Sequence, residues 1–370
     1  MAAVAAAAGA ITALGLAAAP AAFAQPAGHT AYLSHFSKLK TIVSTIPHNG
    51  DVNPYGIFVI RHSAGRLQAG NVLISNFNDK ANLQGTGKTL VQITPGGHRS
   101  LFARISPGKL PGACPGGVGL STALEVLPGG WVVVGSVPST NGLAATAKAG
   151  CLIVLNSQGQ VKETISGNGI NGPWDSAAAV HGHIADLFVA NVLNGTVAAG
   201  GKVVPNGYVQ RLTLKLSASA PPKLVASTTI GSGYPQRTDP MAFVIGPTGV
   251  GLGRHGTLYV AETLTSRIFA IPNAVTRLGS AGRGALVTKG GKLNMPLGLA
   301  IAPNGHVLTV NGGNGKIVET TPAGAQIFSR LLDSSGSPKG AGALFGLAVK
   351  PGGGGVYYVD DVANTLRLLH

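Results

Sequence analysis

The sequence has few charged residues, few aromatic residues and only two cysteines, and each shortage excludes a class of protein. Charged residues make up 11% of the 370 residues, which excludes a coiled coil, since such proteins are rich in Glu and Lys. Two cysteines are too few for a disulfide scaffold or a zinc module. Hydrophobic residues nevertheless make up 45% of the chain, so it can bury a large core and is not a disordered protein.

The first 24 residues contain no charged side chain and are mostly alanine. They end in Ala22-Phe-Ala24 before Gln25, and a small-x-small triplet after an apolar run is typical of a signal-peptide cleavage site. The segment lacks the Lys or Arg that begins most signal peptides, and an uncleaved membrane anchor is the alternative. We predict a signal peptide over residues 1–24, a mature chain over residues 25–370 with no transmembrane segment, and a periplasmic or secreted location.

Acidic residues are also scarce: 12 Asp and Glu stand against 27 Lys and Arg, which gives a formal net charge of +15. Such an excess of positive charge attracts anionic partners. We expect no nucleic acid among them, because the chain is predicted to be exported and aromatic residues make up only 5% of it. The expected partner is a small molecule, or a protein or polymer of the cell envelope.

Export permits a disulfide bond, because exported proteins fold in an oxidising compartment. Cys114 and Cys151 are the only cysteines, and they flank one strand–turn–strand segment. We expect them to be bonded, and the alternative is two buried thiols.

Past residue 50 the chain repeats a unit that has an apolar strand, a Pro/Gly turn, a second strand ending in a polar residue, and a third strand. The polar residues that end the second strands are Asn76, Ser136, Asn191, Glu262, Asn311 and Asp360. They lie 60, 55, 71, 49 and 49 residues apart, and one propeller blade takes about 40–50 residues. The sequence therefore predicts an all-β protein with a single domain, a six-bladed β-propeller. A β-sandwich or a β-helix is the alternative.

The sixth unit ends at His370, one short strand after Asp361, so it lacks an outer strand. The segment over residues 38–46 precedes the first unit and is otherwise unused. We predict that it supplies the missing strand, which closes the ring and covers its open edges. In the fourth unit, we take the segment over residues 239–245 as the first strand.

The units resemble NHL repeats and, more broadly, the six-bladed propellers of the SMP-30/gluconolactonase, paraoxonase and strictosidine-synthase groups. The resemblance rests on Pro296-Leu-Gly-Leu-Ala-Ile-Ala-Pro-Asn-Gly305 and on Leu258-Tyr-Val-Ala-Glu262 with Arg267-Ile268. It covers residues 38–370 as an architecture, with specific motifs only in units four to six. It implies a fold rather than an activity, because this architecture serves hydrolases, lyases and binding modules.

A propeller blade places the link into its first strand and the turn between its second and third strands at one face, here called the top face. Propellers usually bind ligands at this face, around the central channel. The candidate ligand-binding residues there are Asn76, Trp174, Asp175, Asn191, Glu262, Asn311 and Asp360. In the alternative interpretation, each residue that ends a second strand caps its own turn, and Trp174 packs between blades.

Carboxylate and amide oxygens that converge on one axis suit Ca²⁺, and the resemblance implies an oxygen-ligated cation near this place. The candidate metal ligands are Glu262, Asn191, Asn311 and Asp360, and the candidate bases are Asp175 and Asp239. Such a cation polarises an ester carbonyl and lowers the pKa of a bound water. The sequence thus supports two functions: a ligand- or protein-binding module at the cell envelope, or a metal-dependent lactonase or esterase with its site on the top face.

The turns between first and second strands lie at the other end, here called the bottom face, and they collect basic residues. This set contains His62, His181, His183, His255, His306, Arg61, Arg66, Arg254 and Lys350. A basic face attracts anions such as envelope polymers, and the alternative is a set of ordinary solvated turns. His181 and His183 lie on one side of a strand and suit a transition metal, but no third ligand accompanies them.

Overall fold

Six antiparallel sheets, each of four or five strands, make up the described part of the chain. The computed structural model describes residues 30–240 and 242–370, and the predicted signal peptide lies outside them. Five of the sheets follow the chain from the innermost strand outwards. The six innermost strands pack side by side in a ring, in which the first contacts the sixth. The sheets are therefore the blades of a six-bladed β-propeller, as the sequence predicts.

Strand β1, Leu39–Ser44, precedes the first blade. Blade one contains β2 (Val52–Val59), β3 (Val72–Asn78), β4 (Thr89–Ile93) and β5 (Arg99–Arg104). Blade two contains β6 (Leu120–Leu127), β7 (Trp131–Ser136), β8 (Cys151–Leu155) and β9 (Val161–Ile165). Blade three contains β10 (Pro173–His181), β11 (Ile184–Asn191), β12 (Val204–Lys215), β13 (Lys223–Asp239) and β14 (Phe243–Ile245).

Blade four contains β15 (Pro247–Leu252), β16 (Leu258–Glu262), β17 (Arg267–Ile271) and β18 (Ala285–Lys289). Blade five contains β19 (Pro296–Ile301), β20 (Val307–Asn311), β21 (Lys316–Thr320) and β22 (Gln326–Leu331). Blade six contains β23 (Leu344–Val349), β24 (Val356–Asp360), β25 (Thr365–Leu369) and, on its outer edge, β1. The described helices are short 3₁₀ turns at Tyr32–His35, Pro107–Lys109, Ala144–Thr146, Arg254–Gly256 and Pro351–Gly353.

Strand β1 closes the ring, which confirms the prediction for residues 38–46. It pairs antiparallel with β25, from Leu39 opposite Leu369 to Ser44 opposite Thr365. Just before β1, the buried Glu319 of blade five accepts hydrogen bonds from the backbone N–H groups of Tyr32 and Leu33, both at 2.8 Å. The two ends of the described chain are thus joined in one sheet.

The fourth blade begins later than the sequence predicts. The segment Phe243–Ile245 pairs with β13 as a fifth strand of blade three, and β15 is the inner strand of blade four. The prediction over residues 239–245 was wrong because it overlooked Pro247, which pairs with Glu262 as Pro296 pairs with Asn311 in the next blade. A Pro-x-Gly sequence, rather than any apolar run, marks the start of these inner strands.

Each inner strand carries a β-bulge near its start, where one extra residue interrupts the pairing in five blades and two extra residues do so in β6. In β2, for example, Pro54 pairs with Asn76 and the next pair is Ile57 with Ile74. The residue that ends the bulge is glycine in four blades: Gly56, Gly249, Gly298 and Gly346. A Cβ at Gly298 would lie 2.1 Å from the carbonyl oxygen of Phe345, in the next inner strand. Close approach of neighbouring strands therefore selects glycine here.

Cys114 and Cys151 form a disulfide bond, which confirms the prediction. The bond ties the link before β6 to the start of β8, and so holds one side of blade two. Within the described residues, no helix is both long enough and apolar enough to cross a membrane.

Candidate functional site

The top end of the central channel is closed by aromatic side chains. Tyr55, Trp174 and Phe345 immediately precede the bulge-ending positions of their inner strands, and all three are buried. The Tyr55 ring stacks on Phe345 with 4.0 Å between centroids and meets Trp174 edge-on at 5.5 Å. Aromatic pairs in such geometries contribute about 0.5–1.5 kcal/mol each beyond the area that they bury. This group, here called the aromatic plug, blocks passage from the top face into the channel.

Below the aromatic plug, the channel widens into a cavity of about 620 Å³ that all six inner strands line. The exposure of the inner-strand residues increases at this level. In β19, for example, the first four residues are buried, whereas Ala300 and Ile301 are partly exposed. The lining continues into residues that follow the inner strands, including Arg61, Pro303 and Lys350. Those residues belong to the turns of the bottom face, so the channel opens at that face, and we call this opening the mouth.

Two carboxylates lie in this cavity, at positions where the other blades have small or apolar residues. Asp175 ends the bulge of β10, the position of the four glycines, as the pairing of Ser176 with Val189 establishes. Glu125 lies two positions further toward the mouth in β6, because Ala123 is the equivalent of Asp175. Its equivalents in the other blades are Phe58, Ala177, Gly251, Ala300 and Ala348. The propeller ring itself therefore requires neither acid.

Asp175 links blade three to blade four. Its carboxylate accepts hydrogen bonds from the backbone N–H of Ser176 at 2.9 Å and from that of Val250 at 3.0 Å. Burial disfavours the charged form and raises the pKa of Asp175 to about 7, although both hydrogen bonds act in the opposite direction. A carboxyl group with this pKa exchanges its proton near neutral pH.

Glu125 lines the cavity, is partly exposed, and has no hydrogen bond or salt bridge from any described residue. Desolvation, with repulsion from Asp175 as a smaller cause, raises its pKa to about 8, whereas Arg61 acts to lower it. Near the two acids, the hydroxyl of Thr122 is buried, lines the same cavity and has no hydrogen-bond partner among the described residues.

The predicted top-face residues form hydrogen bonds with their own turns or with neighbouring segments of the chain. Glu262 accepts hydrogen bonds from the backbone N–H and the hydroxyl of Thr265, and Asn311 donates to the carbonyl of Lys292 and to Asn314. Asn191 accepts from the backbone N–H of Asn171 and donates to the carbonyl of Val189. Asn76 donates to the carbonyl of Thr45 and to Thr89. All four side chains are buried, and each bonds to its own turn or to the links beside it. The Oδ1 atoms of Asn76 and Asn311 have no hydrogen-bond partner among the described residues.

The acidic members of the predicted set also have close partners. Asp360 accepts from the backbone N–H of Ala363 and pairs with Arg367 at 2.7 Å. Asp239 ends β13 and pairs with Arg237 at 2.8 Å. Within residues 30–240 and 242–370, no group of three or more His, Cys, Asp or Glu side chains could hold a metal ion. These contacts do not form a donor set for Ca²⁺, and the assignment of Glu262, Asn191, Asn311 and Asp360 as its ligands stays a prediction.

The basic bottom-face set divides in the structure. His181 and His183 are exposed at the turn between β10 and β11, whereas His306 is buried and its Nδ1 lies 2.6 Å from Glu319. His306 therefore belongs to the cluster that holds Tyr32 and Leu33 rather than to an exposed face. Arg61 and Lys350 of the predicted set lie at the mouth of the channel.

The sequence reasoning named Asp175 but overlooked Glu125. In blade two, Leu120 pairs with Ser136 and the next pair is Leu124 with Val134. The bulge of β6 between these two pairs is thus one residue longer than the bulge in each other inner strand. That insertion hides the equivalence of Glu125 with the small residues of the other blades. Aligning the units from the end of each inner strand backwards would have found it.

Solved structures share the fold of this chain at low identity, whereas no protein-family model and no curated protein sequence matches it. A gluconolactonase from Xanthomonas campestris is 13% identical, with a TM-score of 0.53 over 90% of this chain and 88% of that one. A putative gluconolactonase is 14% identical, with a TM-score of 0.54 over 90% and 91%. A putative oxidoreductase (glucose dehydrogenase) from Thermus thermophilus is 14% identical, with a TM-score of 0.55 over 90% and 99%. At these identities the likeness is one of fold alone.

Proposed function

We propose that this protein binds a small molecule in its central channel, which the molecule enters through the mouth at the bottom face. The observation that carries the proposal is the cavity of about 620 Å³ with Asp175 and Glu125 in its wall. A cavity of this size suits a small ligand, and a few polar groups in an apolar wall are typical of ligand sites. Desolvation of two acids that the fold does not require is costly, which favours a role for them in binding.

Ligand binding is tested by thermal unfolding of residues 25–370 with a panel of amines, carboxylic acids, sugars and sugar lactones. A ligand at 100 times its dissociation constant adds about 2.7 kcal/mol to the free energy of unfolding. Trp174 directly precedes Asp175, which lines the cavity, so we expect its fluorescence to report the same event once Trp131, the only other tryptophan, is changed to Phe.

A channel-filling variant locates the binding site. Ala300→Phe introduces in blade five the residue that blade one has at the equivalent position, Phe58, so the ring accommodates its size. We expect this variant to abolish the ligand-induced shift. Ala323→Phe, in an exposed turn of the same blade, is the control and should retain it. A shift that survives Ala300→Phe would place the ligand elsewhere and contradict the proposal.

Hydrolysis of a lactone or ester is a second candidate, favoured by the raised pKa of Asp175, about 7. A carboxylate with a pKa near the working pH is suited to general-base catalysis. The likeness to gluconolactonase supports this candidate only as far as a shared fold does. The test is hydrolysis of glucono-δ-lactone in a pH-stat, with Ca²⁺ or with EDTA.

The variants separate two forms of this candidate. Loss of hydrolysis in Asp175→Asn supports a base in the channel, whereas a Ca²⁺ requirement that Glu262→Gln removes supports the metal-dependent form on the top face. Absence of hydrolysis in the unmodified protein under every condition contradicts both forms.

We also propose that the protein is exported to the periplasm or the medium. The support is the uncharged alanine-rich segment that ends at Ala24, together with the disulfide bond between Cys114 and Cys151. The intact mass of the protein recovered from a bacterial host that expresses the full chain tests this. A mature chain that begins at Gln25 is expected, and a chain that keeps residues 1–24 contradicts the proposal.

A further inference from the structure

The charges along the central channel are ordered by depth. Asp175 lies next to the aromatic plug, at the closed end, and Glu125 lies two positions nearer to the mouth. Arg61 follows the end of β2, three residues beyond Phe58, the equivalent of Glu125. Lys350 follows β23, two residues beyond Ala348. At about 3.3 Å per strand residue, the basic level lies roughly 7–10 Å from the acidic level.

The ionisable residues that line the channel are these four alone among the described residues: Arg61, Glu125, Asp175 and Lys350. The lining of β15 and β19 contributes none, and the wall between the two levels consists of residues such as Val59, Leu252 and Ile301. The channel therefore offers an acidic end, an apolar middle and a basic rim.

We infer that the channel binds a zwitterion, whose cationic group lies between the carboxylates of Asp175 and Glu125 and whose acidic group faces Arg61 and Lys350. This inference rests on the proposed function, because it requires a small molecule in the channel. Glu125 lacks a hydrogen-bond donor among the described residues, and an ammonium or guanidinium group supplies one. The unpartnered hydroxyl of Thr122 in the same wall is an independent sign of a missing polar partner.

The acidic end of the channel lies deeper than the basic end. A zwitterion therefore binds in one orientation. A net charge of +15 repels a simple cation from the protein, whereas the anionic end of a zwitterion is attracted to Arg61 and Lys350. A molecule with both charges satisfies each end of the channel, and its apolar middle contacts the apolar wall. The cationic group thus enters first.

Proton release is a signature of this arrangement. Glu125 and Asp175 have pKa values of about 8 and about 7 in the free protein, so the pair still holds protons at pH 7.5. A cation between them favours the charged forms, and binding then releases up to about one proton near this pH.

The experiment is isothermal titration calorimetry of residues 25–370 at pH 7.5, in two buffers that differ in ionisation enthalpy. The probes are 6-aminohexanoate, hexylammonium, hexanoate and the neutral hexanamide. We expect 6-aminohexanoate to bind at least about tenfold more tightly than each of the other three, since each of them lacks at least one of its two charged contacts. We also expect its binding heat to depend on the buffer in the direction of proton release.

Two variants test which end of the channel binds the cationic group of the probe and which end binds its carboxylate. Glu125→Gln should weaken 6-aminohexanoate and hexylammonium about tenfold and reduce the proton release, without weakening hexanoate. Arg61→Gln should weaken 6-aminohexanoate but not hexylammonium. Glu163→Gln, which alters a carboxylate on the outer strand β9, is the control and should change neither affinity. Glu125 is preferred to Asp175 for this test because Asp175 also accepts backbone hydrogen bonds that the fold uses.

The failures of the two proposals are distinguishable. Equal affinity for 6-aminohexanoate and hexanamide, both abolished by Ala300→Phe, would overturn the zwitterion and leave the channel as a binding site. Tighter binding of hexanoate than of 6-aminohexanoate would also overturn the zwitterion. Absence of binding for these probes and for every member of the wider panel would overturn the channel as a ligand site.

Discussion

The two ends of the central channel are built from equivalent positions of the same six repeats, yet they differ in what surrounds their side chains. At the top, Tyr55 contacts both Trp174 and Phe345, and the polar residues around them, such as Glu262, are buried against the chain. Toward the bottom, Glu125 and the unpartnered hydroxyl of Thr122 line an open cavity, and Glu125 has no hydrogen-bond donor among the described residues. In a repeat protein, a costly residue at a position where the other repeats have a small one indicates a function.

The largest expected effect on the free energy of unfolding comes from replacing a phenylalanine at each end of the channel. Phe345 is buried in the aromatic plug, whereas Phe58 lines the channel and is partly exposed. Phe345→Ala should lower the free energy of unfolding by about 3–5 kcal/mol, because it leaves a cavity in a packed cluster. Phe58→Ala should cost about 1–2 kcal/mol, because part of its ring already contacts the channel. Urea denaturation measures both, and equal losses would contradict the distinction between a closed and an open end.

The next effect concerns the acids of the two ends. Asp360→Asn should lower the free energy of unfolding by about 1–3 kcal/mol, because Arg367 loses its closest charged partner. Arg367 keeps a second partner, Asp333 at 3.1 Å, which limits the loss. Urea denaturation at pH 7 checks this. A stabilising Asp360→Asn would show that Asp360, like the channel acids, is not required by the fold.

Glu125→Gln should have the opposite sign, and its effect should depend on pH. The pKa of Glu125 rises from 4.5 to about 8 on folding, so the folded state binds the proton more tightly than the unfolded state does. The free energy of unfolding of the unmodified protein therefore falls as pH rises from about 4.5 to about 8. At pH 9 the variant should be more stable by roughly 1–3 kcal/mol, and at pH 4 the two should be equal.

Thermal unfolding of both proteins at pH 4, 7 and 9 tests the pH dependence. Glu163→Gln serves as the matched control, because Glu163 lies on the outer strand β9, away from the channel. A difference between Glu125→Gln and the unmodified protein that does not change with pH would refute the idea that Glu125 is desolvated at a cost.

The smallest expected effect belongs to Asp175→Asn. Its pKa is also raised, to about 7, so loss of the charge should stabilise the protein at pH 9. The amide, however, keeps only one acceptor for the N–H groups of Ser176 and Val250, and loss of a hydrogen bond costs about 1 kcal/mol. The two contributions oppose each other, and we expect a net change within about 1 kcal/mol at pH 9 in thermal unfolding. A large loss of stability would make Asp175 mainly a structural link between blades three and four.

The blades and the closing strand follow from the sequence because they depend on local patterns. The polar ends of the second strands, from Asn76 to Asp360, fall at equivalent positions of six sheets, and the segment before the first repeat closes the last blade. Which end of the channel is open does not follow from such patterns, because Tyr55, Trp174 and Phe345 meet only when blades from distant parts of the chain come together. Phe243 was misplaced for a related reason, since a short apolar run fits an outer strand as well as an inner one.

The pairing of β1 with β25 has a consequence for the order of folding events. Leu39 pairs with Leu369, so this sheet is completed only when nearly the whole chain has been organised. Closing a loop of this length costs roughly 5 kcal/mol of chain entropy, and contacts so distant in sequence slow folding. We therefore expect blade six to form last and to open first. Until β1 docks, the edge of β25 is available to other chains, which makes the final step of folding the one most exposed to aggregation.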